Sequence, residues 1–170
     1  MDLVVSSVQG PAEGTSGDQA TVRWTIVNNG TDGTRGAWHD AISLVPSSPT
    51  GWDEPVAVAE VLSIATLGPG QSATFAASVR IPGGTEGPWR WRVRANARGE
   101  VFEGRHSDNN QTEGSAPMQL RVPELAVGAA MNDLFVGAGV PSWFKLEQPA
   151  GQALTVGLDA SAPNGRCRLY

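Results

Sequence analysis

The sequence predicts an all-β fold, an immunoglobulin-like, seven-stranded Greek-key β-sandwich with a short additional β segment at the C-terminus. Short runs of alternating apolar and polar residues recur along the chain, with turns about every 8–12 residues. The 21 glycines and 12 prolines fall mainly in these turns. No stretch sustains the period of about 3.6 residues that an amphipathic helix requires. Together these observations favour antiparallel strands packed as two layers.

Seven strands follow from this alternation. It is clearest in residues 89–95, where the apolar side chains share one face and three arginines occupy the other, as in an antiparallel strand with one buried and one solvated face. Residues 13–18 are predicted as a polar turn and residues 105–115 as a long polar loop. The seven predicted strands are 3–8, 20–28, 37–45, 56–64, 73–81, 89–95 and 118–122.

Tryptophans are predicted to form the centre of the core. Trp24, Trp38, Trp89 and Trp91 all occupy positions on the presumed buried faces of their strands. Each indole can bury about 150–250 Å². The single cysteine, Cys167, cannot form the intramolecular disulfide of antibody-type domains. We therefore expect the indole cluster to take its place.

Composition excludes two classes of partner. The net charge of −5 and the pI near 4.9 argue against a nucleic-acid-binding protein. No apolar run approaches the roughly 18 residues of a membrane-spanning helix, so no membrane insertion is expected.

The first residues are already strand-like and are not a signal peptide, and residues 168–170 resemble a strand cut in mid-run. Both ends suggest a segment of a longer protein.

A change of composition at Pro123 predicts two units. Residues 1–122 are expected to form the immunoglobulin-type sandwich, and residues 123–170 a linker followed by an incomplete second β-sandwich. Strands are predicted at 143–147 and 153–158, joined by a turn. One hairpin buries little surface alone, so this tail is expected to pack on the first unit, to pair with another copy or to fray.

The first unit resembles the CARDB family, the cell adhesion related domain found in bacteria. The family's strand and turn pattern V-x-W-x-V-x-N-x-G is similar to Val22–Gly30, and its W-x-D-x-V-Y-L-S strand to Trp38–Leu44. The resemblance covers about residues 2–122. Further matching segments are Asp2–Val5, Leu67–Ser72, Val101–Gly104 and Asp108–Asn110.

Residues 137–170 resemble the first half of a bacterial pre-peptidase C-terminal domain. Gly139–Leu146 is similar to its G-x-x-x-W-Y-x-F strand, and Pro149–Val156 to its P-A-G-Q-x-L-x-V segment. Both resemblances imply a large secreted or surface protein built from serial β-sandwiches. Adjacent domains of a longer polypeptide are then the expected partners, with a surface glycan or protein as a further candidate, and the location is extracellular or at the cell surface.

No catalytic constellation emerges from the sequence. His39 and Asp40 are adjacent, so on a strand their side chains point to opposite faces and cannot act as a pair. No Gly-x-Ser-x-Gly elbow is present, and Cys167 has no histidine near it in sequence. We therefore expect a protein that is not an enzyme.

Asp40 leads the candidate metal ligands because it shares a face with the apolar Trp38 and Ile42. A buried carboxylate must be hydrogen-bonded, paired or bound to a metal. One interpretation is that it accepts backbone N–H groups and holds a neighbouring loop. The other is a calcium site, with Ca²⁺ as the cofactor, because Ca²⁺ takes about 6–8 oxygen ligands. Its candidate ligands are Asp40, Glu103, Asp108, Asn109 and Asn110.

Two further features are candidates for ligand binding. Arg90, Arg92 and Arg94 form a stripe on one strand face, which could bind an acidic polysaccharide or the carboxylates of a partner. The alternative is a solvated face with acidic neighbours on the next strand. Trp52 lies in a loop beside two acids, where an exposed indole could stack on a sugar. The alternative is an indole folded back onto the edge of the domain.

These observations favour a non-enzymatic structural or adhesion module that spaces or presents neighbouring domains. A calcium- or carbohydrate-binding β-sandwich is the first alternative. An accessory region of a secreted peptidase is the second, and it depends only on the resemblance of the C-terminal residues.

Overall fold

A computed structural model describes residues 1–34, 36–48, 54–131 and 140–157 of the chain. Apart from one short 3-10 turn, Ser107–Asn109, the regular elements of these residues are strands. No helix in this part of the chain is long and apolar enough to span a membrane. The strands are β1 Leu3–Gln9, β2 Glu13–Thr15, β3 Gln19–Asn28, β4 Ala37–Pro46, β5 Val56–Ile64, β6 Ser72–Arg80, β7 Gly87–Arg94, β8 Gln111–Glu113 and β9 Met118–Arg121.

The strands form two sheets that pack as a β-sandwich. One sheet has the order β1-β3-β6, and the other has the order β2-β9-β7-β4-β5, with β8 also paired to β7. The pairings are antiparallel except for β2 and β9, which run parallel. The seven strands of four or more residues are those that the alternation predicts. The predicted all-β sandwich is therefore confirmed.

The core lies between the sheets and is built around indoles. Trp24 and Trp38 are fully buried, and both contact the ring of Phe75, at centroid distances of 5.9 and 6.1 Å. Trp91 is also buried, whereas Trp89 packs only partly against the core. The strand alternation places these rings inward because every second residue faces the opposite sheet.

Two three-residue strands replace predicted irregular segments. β2 lies in the predicted turn 13–18 and pairs with β9, and β8 lies in the predicted loop 105–115 and pairs with β7. Three residues are too few to show an alternation. These strands form because the edges of β9 and β7 offer backbone groups that a passing segment can pair with.

The C-terminal strands predicted at 143–147 and 153–158 are wrong for the residues that the structure describes. Residues 140–157 contain no strand, and their only β pairing is an isolated bridge between Glu124 and Lys145. A lone hairpin has no second layer to cover it. The segment instead lies against the turn between β6 and β7, where Trp143 contacts Gly83.

The first strand begins at one end of the sandwich, and the last strand finishes at the opposite end. β1 begins at Leu3, which pairs with Asn28 at the end of β3. β9 ends at Arg121, whose carbonyl accepts a hydrogen bond from Ser16, close to the start of β3. The ten residues of β3 span roughly 30 Å between these ends. We call the end at Leu3 and Asn28 the amino end, and the end at Ser16 and Arg121 the carboxyl end.

Candidate functional site

The buried carboxylate of Asp40 lies on β4, at the amino end of the core. Its Oδ2 accepts hydrogen bonds from the indole N–H of Trp24 at 2.8 Å and from the hydroxyl of Ser63 at 2.6 Å. Its Oδ1 accepts one from the backbone N–H of Asn96 at 3.1 Å. Asp40 thus joins both sheets to the loop that follows β7, which is the structural role that the sequence left open beside metal binding.

Burial is the largest influence on the pKa of Asp40 and raises it above the usual value of 3.8. Hydrogen bonds from Ser63, Trp24 and the Asn96 amide act in the opposite direction. The folded protein therefore holds a proton on this carboxyl more tightly than the unfolded chain does. By linkage, the stabilising contribution of Asp40 is complete below pH 3.8 and is lost as the pH rises through the folded-state pKa.

Glu103 is a second buried carboxylate at the amino end, in the loop between β7 and β8. Its Oε2 accepts the backbone N–H of Leu3 at 2.6 Å. Its Oε1 accepts the side-chain amides of Asn96 and Asn110, each at 2.6 Å. The first residue of β1 is therefore tied to a loop 100 positions further along the chain.

Asn96 connects the two carboxylates, and the sequence analysis did not identify it. Its backbone N–H donates to Asp40, and its side chain donates to Glu103 and to the carbonyl of Val101. The side-chain oxygen accepts the N–H of Val101 at 3.0 Å. Its φ of 49° lies in the left-handed region, which asparagine tolerates better than most residues. An asparagine directly after a predicted strand was the available signal.

Asn28 closes the same end of the sandwich. Its side-chain N–H groups donate to the carbonyls of Asp32 and Leu67, and its oxygen accepts the backbone N–H groups of Asp2 and Gly30. The residue is fully buried at the end of β3. The sequence indicated a turn here, and the side-chain bonds fix that turn against the start of β1.

The five calcium candidates are only partly brought together. Asp40, Glu103 and Asn110 are buried: Asn96 links the two carboxylates, and Asn110 donates to Glu103. Asp108 and Asn109 lie exposed on the short 3-10 turn. Asn109 donates to the side chain of Asp2 at 2.9 Å.

The oxygens of Asp40 and Glu103 already accept protein N–H and O–H groups, whereas Oδ1 of Asn110 has no partner within the described part of the chain. Among the described residues, no group of three or more His, Cys, Asp and Glu side chains is placed to hold a metal ion. Calcium binding by these residues stays the alternative hypothesis.

The three candidate arginines lie on the outer face of β7 in different surroundings. Arg92 forms an ion pair with Glu113 across β7 and β8 at 2.7 Å. Arg90 donates to the carbonyls of Gly114 and Ser115. Arg94 is exposed and forms no ion pair with any residue that the structure describes. Trp52, the remaining ligand candidate, lies outside the described residues.

A shallow groove runs along this arginine face. Its volume is about 340 Å³, and Arg90, Arg92 and Glu113 line it. Pro46 and Pro55 also line the groove. Because Arg90 and Arg92 are engaged within the sandwich, a ligand in this groove would have to compete with their present partners.

Several solved structures share similarity with the chain at low identity. The CARDB domain of the PF1109 protein of Pyrococcus furiosus, in complex with di-metal ions, is 16% identical over 71% of this chain and 88% of that chain, with a TM-score of 0.48. The alkylpurine DNA glycosylase AlkC of Pseudomonas fluorescens is 16% identical over 71% of this chain and 31% of that chain, with a TM-score of 0.45. A β-glucosidase of Listeria innocua is 18% identical over 70% of this chain and 16% of that chain, with a TM-score of 0.38.

The family assignment depends on the sandwich itself. No curated protein matches the chain significantly. Residues 14–99, half of the 170-residue chain, match the family described as NPCBM-associated, NEW3 domain of alpha-galactosidase, which is related to CARDB. The match ends before residues 137–170, whose pre-peptidase resemblance stays a prediction. The chain belongs to the NPCBM-associated NEW3 domain family.

Proposed function

We propose that the chain is a non-catalytic structural module of a larger secreted or cell-surface protein, and that it holds the parts on either side of it apart. The observation that carries this proposal is that β1 begins at one end of the sandwich and β9 finishes at the opposite end. A polypeptide that passes through the module advances by roughly the length of β3, about 30 Å.

The buried polar network supports a rigid module. Asp40, Asn96 and Glu103 join the loop after β7 to β4 and to the first residue of β1. Their hydrogen bonds lie inside the protein, where a broken bond leaves a buried polar group at a cost of about 1–3 kcal/mol. The start of β1 therefore resists fraying when force is applied through a segment that precedes it.

The family description supports an accessory role. The family that matches is described as the NPCBM-associated, NEW3 domain of alpha-galactosidase, that is, as one domain of a larger protein. Adjacent domains of one polypeptide are therefore the partners we propose, and attachment to a glycan or a protein at the surface is the adhesive form of the same role.

The spacing can be measured with two spin labels on an otherwise unlabelled chain. Cysteines replace Thr31 at the amino end and Arg121 at the carboxyl end, and Cys167→Ser removes the natural thiol. Pulsed dipolar spectroscopy should give one narrow distance distribution of roughly 30–40 Å. Both sites are exposed, so the labels should leave the core unchanged.

A matched pair of labels at Thr31 and Arg105, both at the amino end, should give a clearly shorter distance. A broad distribution for the Thr31–Arg121 pair, or a distance no longer than that of the matched pair, would contradict a rigid spacer.

A further inference from the structure

Three glycines at the carboxyl end form a surface without side chains, and the indole of Trp143 lies on it. A Cβ atom added to Gly83 would lie 1.9 Å from both Cε2 and Nε1 of Trp143. Added at Gly17 or Gly84, it would lie 3.4 Å and 4.0 Å from the same ring. Any side chain at position 83 must therefore displace the indole. We call Gly17, Gly83 and Gly84 the glycine surface.

The need for glycine at position 83 comes from this contact and not from the backbone. Gly17 and Gly84 have positive φ values of 90° and 75°, which favour glycine for conformational reasons. Gly83 is not among the residues with positive φ. Alanine could adopt the same backbone there, and the three atoms nearest to its added Cβ would all belong to the indole, at 1.9 to 2.4 Å.

Lys145 holds the same segment through both its backbone and its side chain. Its N–H donates to the carbonyl of Pro123, and its carbonyl accepts the N–H of Leu125, each at 2.8 Å. Its ammonium group lies 2.7 Å from a carboxylate oxygen of Glu86. The chain thus leaves β9, passes residues 123–125 and is bound again at Lys145 beside the turn that precedes β7.

We infer that residues 140–147 are a docking strap, whose site is the glycine surface together with Glu86 and residues 123–125. The strap fixes the direction of the chain after the sandwich, so that spacing is rigid on the carboxyl side as well. This inference rests on the proposed spacer function. The occupant of this site is a segment of this chain. It is recognised by the contact of the Trp143 indole with the glycine surface and by the ion pair between Lys145 and Glu86.

The only lysine of the chain makes the strap directly testable. A lysine-specific endoprotease can cut the full chain at one bond, between Lys145 and Leu146. That bond must leave its site before it can be cut, so the cleavage rate reports the population of released strap. Gly83→Ala and Trp143→Ala should each raise the cleavage rate under native conditions by about tenfold or more, as measured by mass spectrometry.

The controls separate release of the strap from unfolding of the sandwich. Gly33→Ala is the matched glycine variant, because a Cβ there meets only ordinary contacts from 3.5 Å outward, and it should be cut at the wild-type rate. Cleavage at the strand arginines by an arginine-specific protease should stay as slow in Gly83→Ala as in the wild type. Glu86→Gln removes the ion pair alone and should accelerate cleavage less than Gly83→Ala.

Equal cleavage rates for the wild type, Gly83→Ala and Trp143→Ala would overturn the strap. A larger effect of Glu86→Gln than of the two indole-site variants would overturn the leading role of the indole contact in holding it. The distance between labels at positions 31 and 121 does not involve the strap. A failed strap therefore leaves the spacer proposal standing, and a failed distance measurement does not depend on the strap.

Discussion

Replacing Glu103 by alanine should lower the free energy of unfolding by about 3–5 kcal/mol. The carboxylate accepts hydrogen bonds from the Leu3 amide and from one side-chain N–H each of Asn96 and Asn110. These donors are buried and would lose their acceptor together. Urea unfolding should show a reduced midpoint, and amide hydrogen exchange should be faster at Leu3, because the start of β1 is no longer tied to the loop.

Two variants isolate the cause of this loss. Glu103→Gln keeps the volume and one carbonyl oxygen, but places an NH₂ group among donors, so its cost should be intermediate. Asp108→Ala removes an exposed carboxylate from the same loop and should change stability by no more than about 0.5 kcal/mol. A cost below about 1 kcal/mol for Glu103→Ala would show that the loop does not depend on this carboxylate.

Replacing Asp40 by alanine should cost a similar amount, about 3–5 kcal/mol, because Trp24, Ser63 and the Asn96 amide lose their common acceptor. Asp40→Asn preserves the shape and removes the titration. Since burial raises the pKa of Asp40, the cost of the asparagine variant should be largest below pH 3.8 and should shrink as the pH rises.

Denaturant unfolding of the wild type and Asp40→Asn at a series of pH values measures this dependence. Asp32→Asn, at an exposed acid in the turn after β3, is the matched control and should show a small cost throughout. A cost of Asp40→Asn that grows with pH would mean that hydrogen bonds outweigh burial and that the pKa is lowered instead.

The sandwich could be predicted because its strands carry their own signal. Residues 20–26 and 89–95 alternate strictly, and the structure forms β3 and β7 there. β2 and β8 carry no such signal, since they exist only where a neighbouring strand offers an edge. Residues 143–147 show the opposite case, because a strand-like pattern finds no second sheet, and Trp143 lies on glycine instead.

The candidate site was predictable in position but not in role. The parity of Asp40 with Trp38 and Ile42 correctly indicated a buried carboxylate. Its partners could not be read from the sequence, because Ser63 and Asn96 lie 23 and 56 positions away along the chain. The pairing of Arg92 with Glu113 likewise depends on the register of β8, which the sequence did not show.

The buried carboxylates of Asp40 and Glu103 accept hydrogen bonds from protein donors, and we expect the sandwich to be complete without a metal ion. Thermal unfolding of the unmodified chain, in EDTA and in millimolar calcium at the same ionic strength, tests this most directly. A ligand that binds only the folded state must raise the melting temperature. We expect the same Tm in both solutions, to within about 1 °C. A Tm several degrees higher in calcium would instead assign these carboxylates to a metal site.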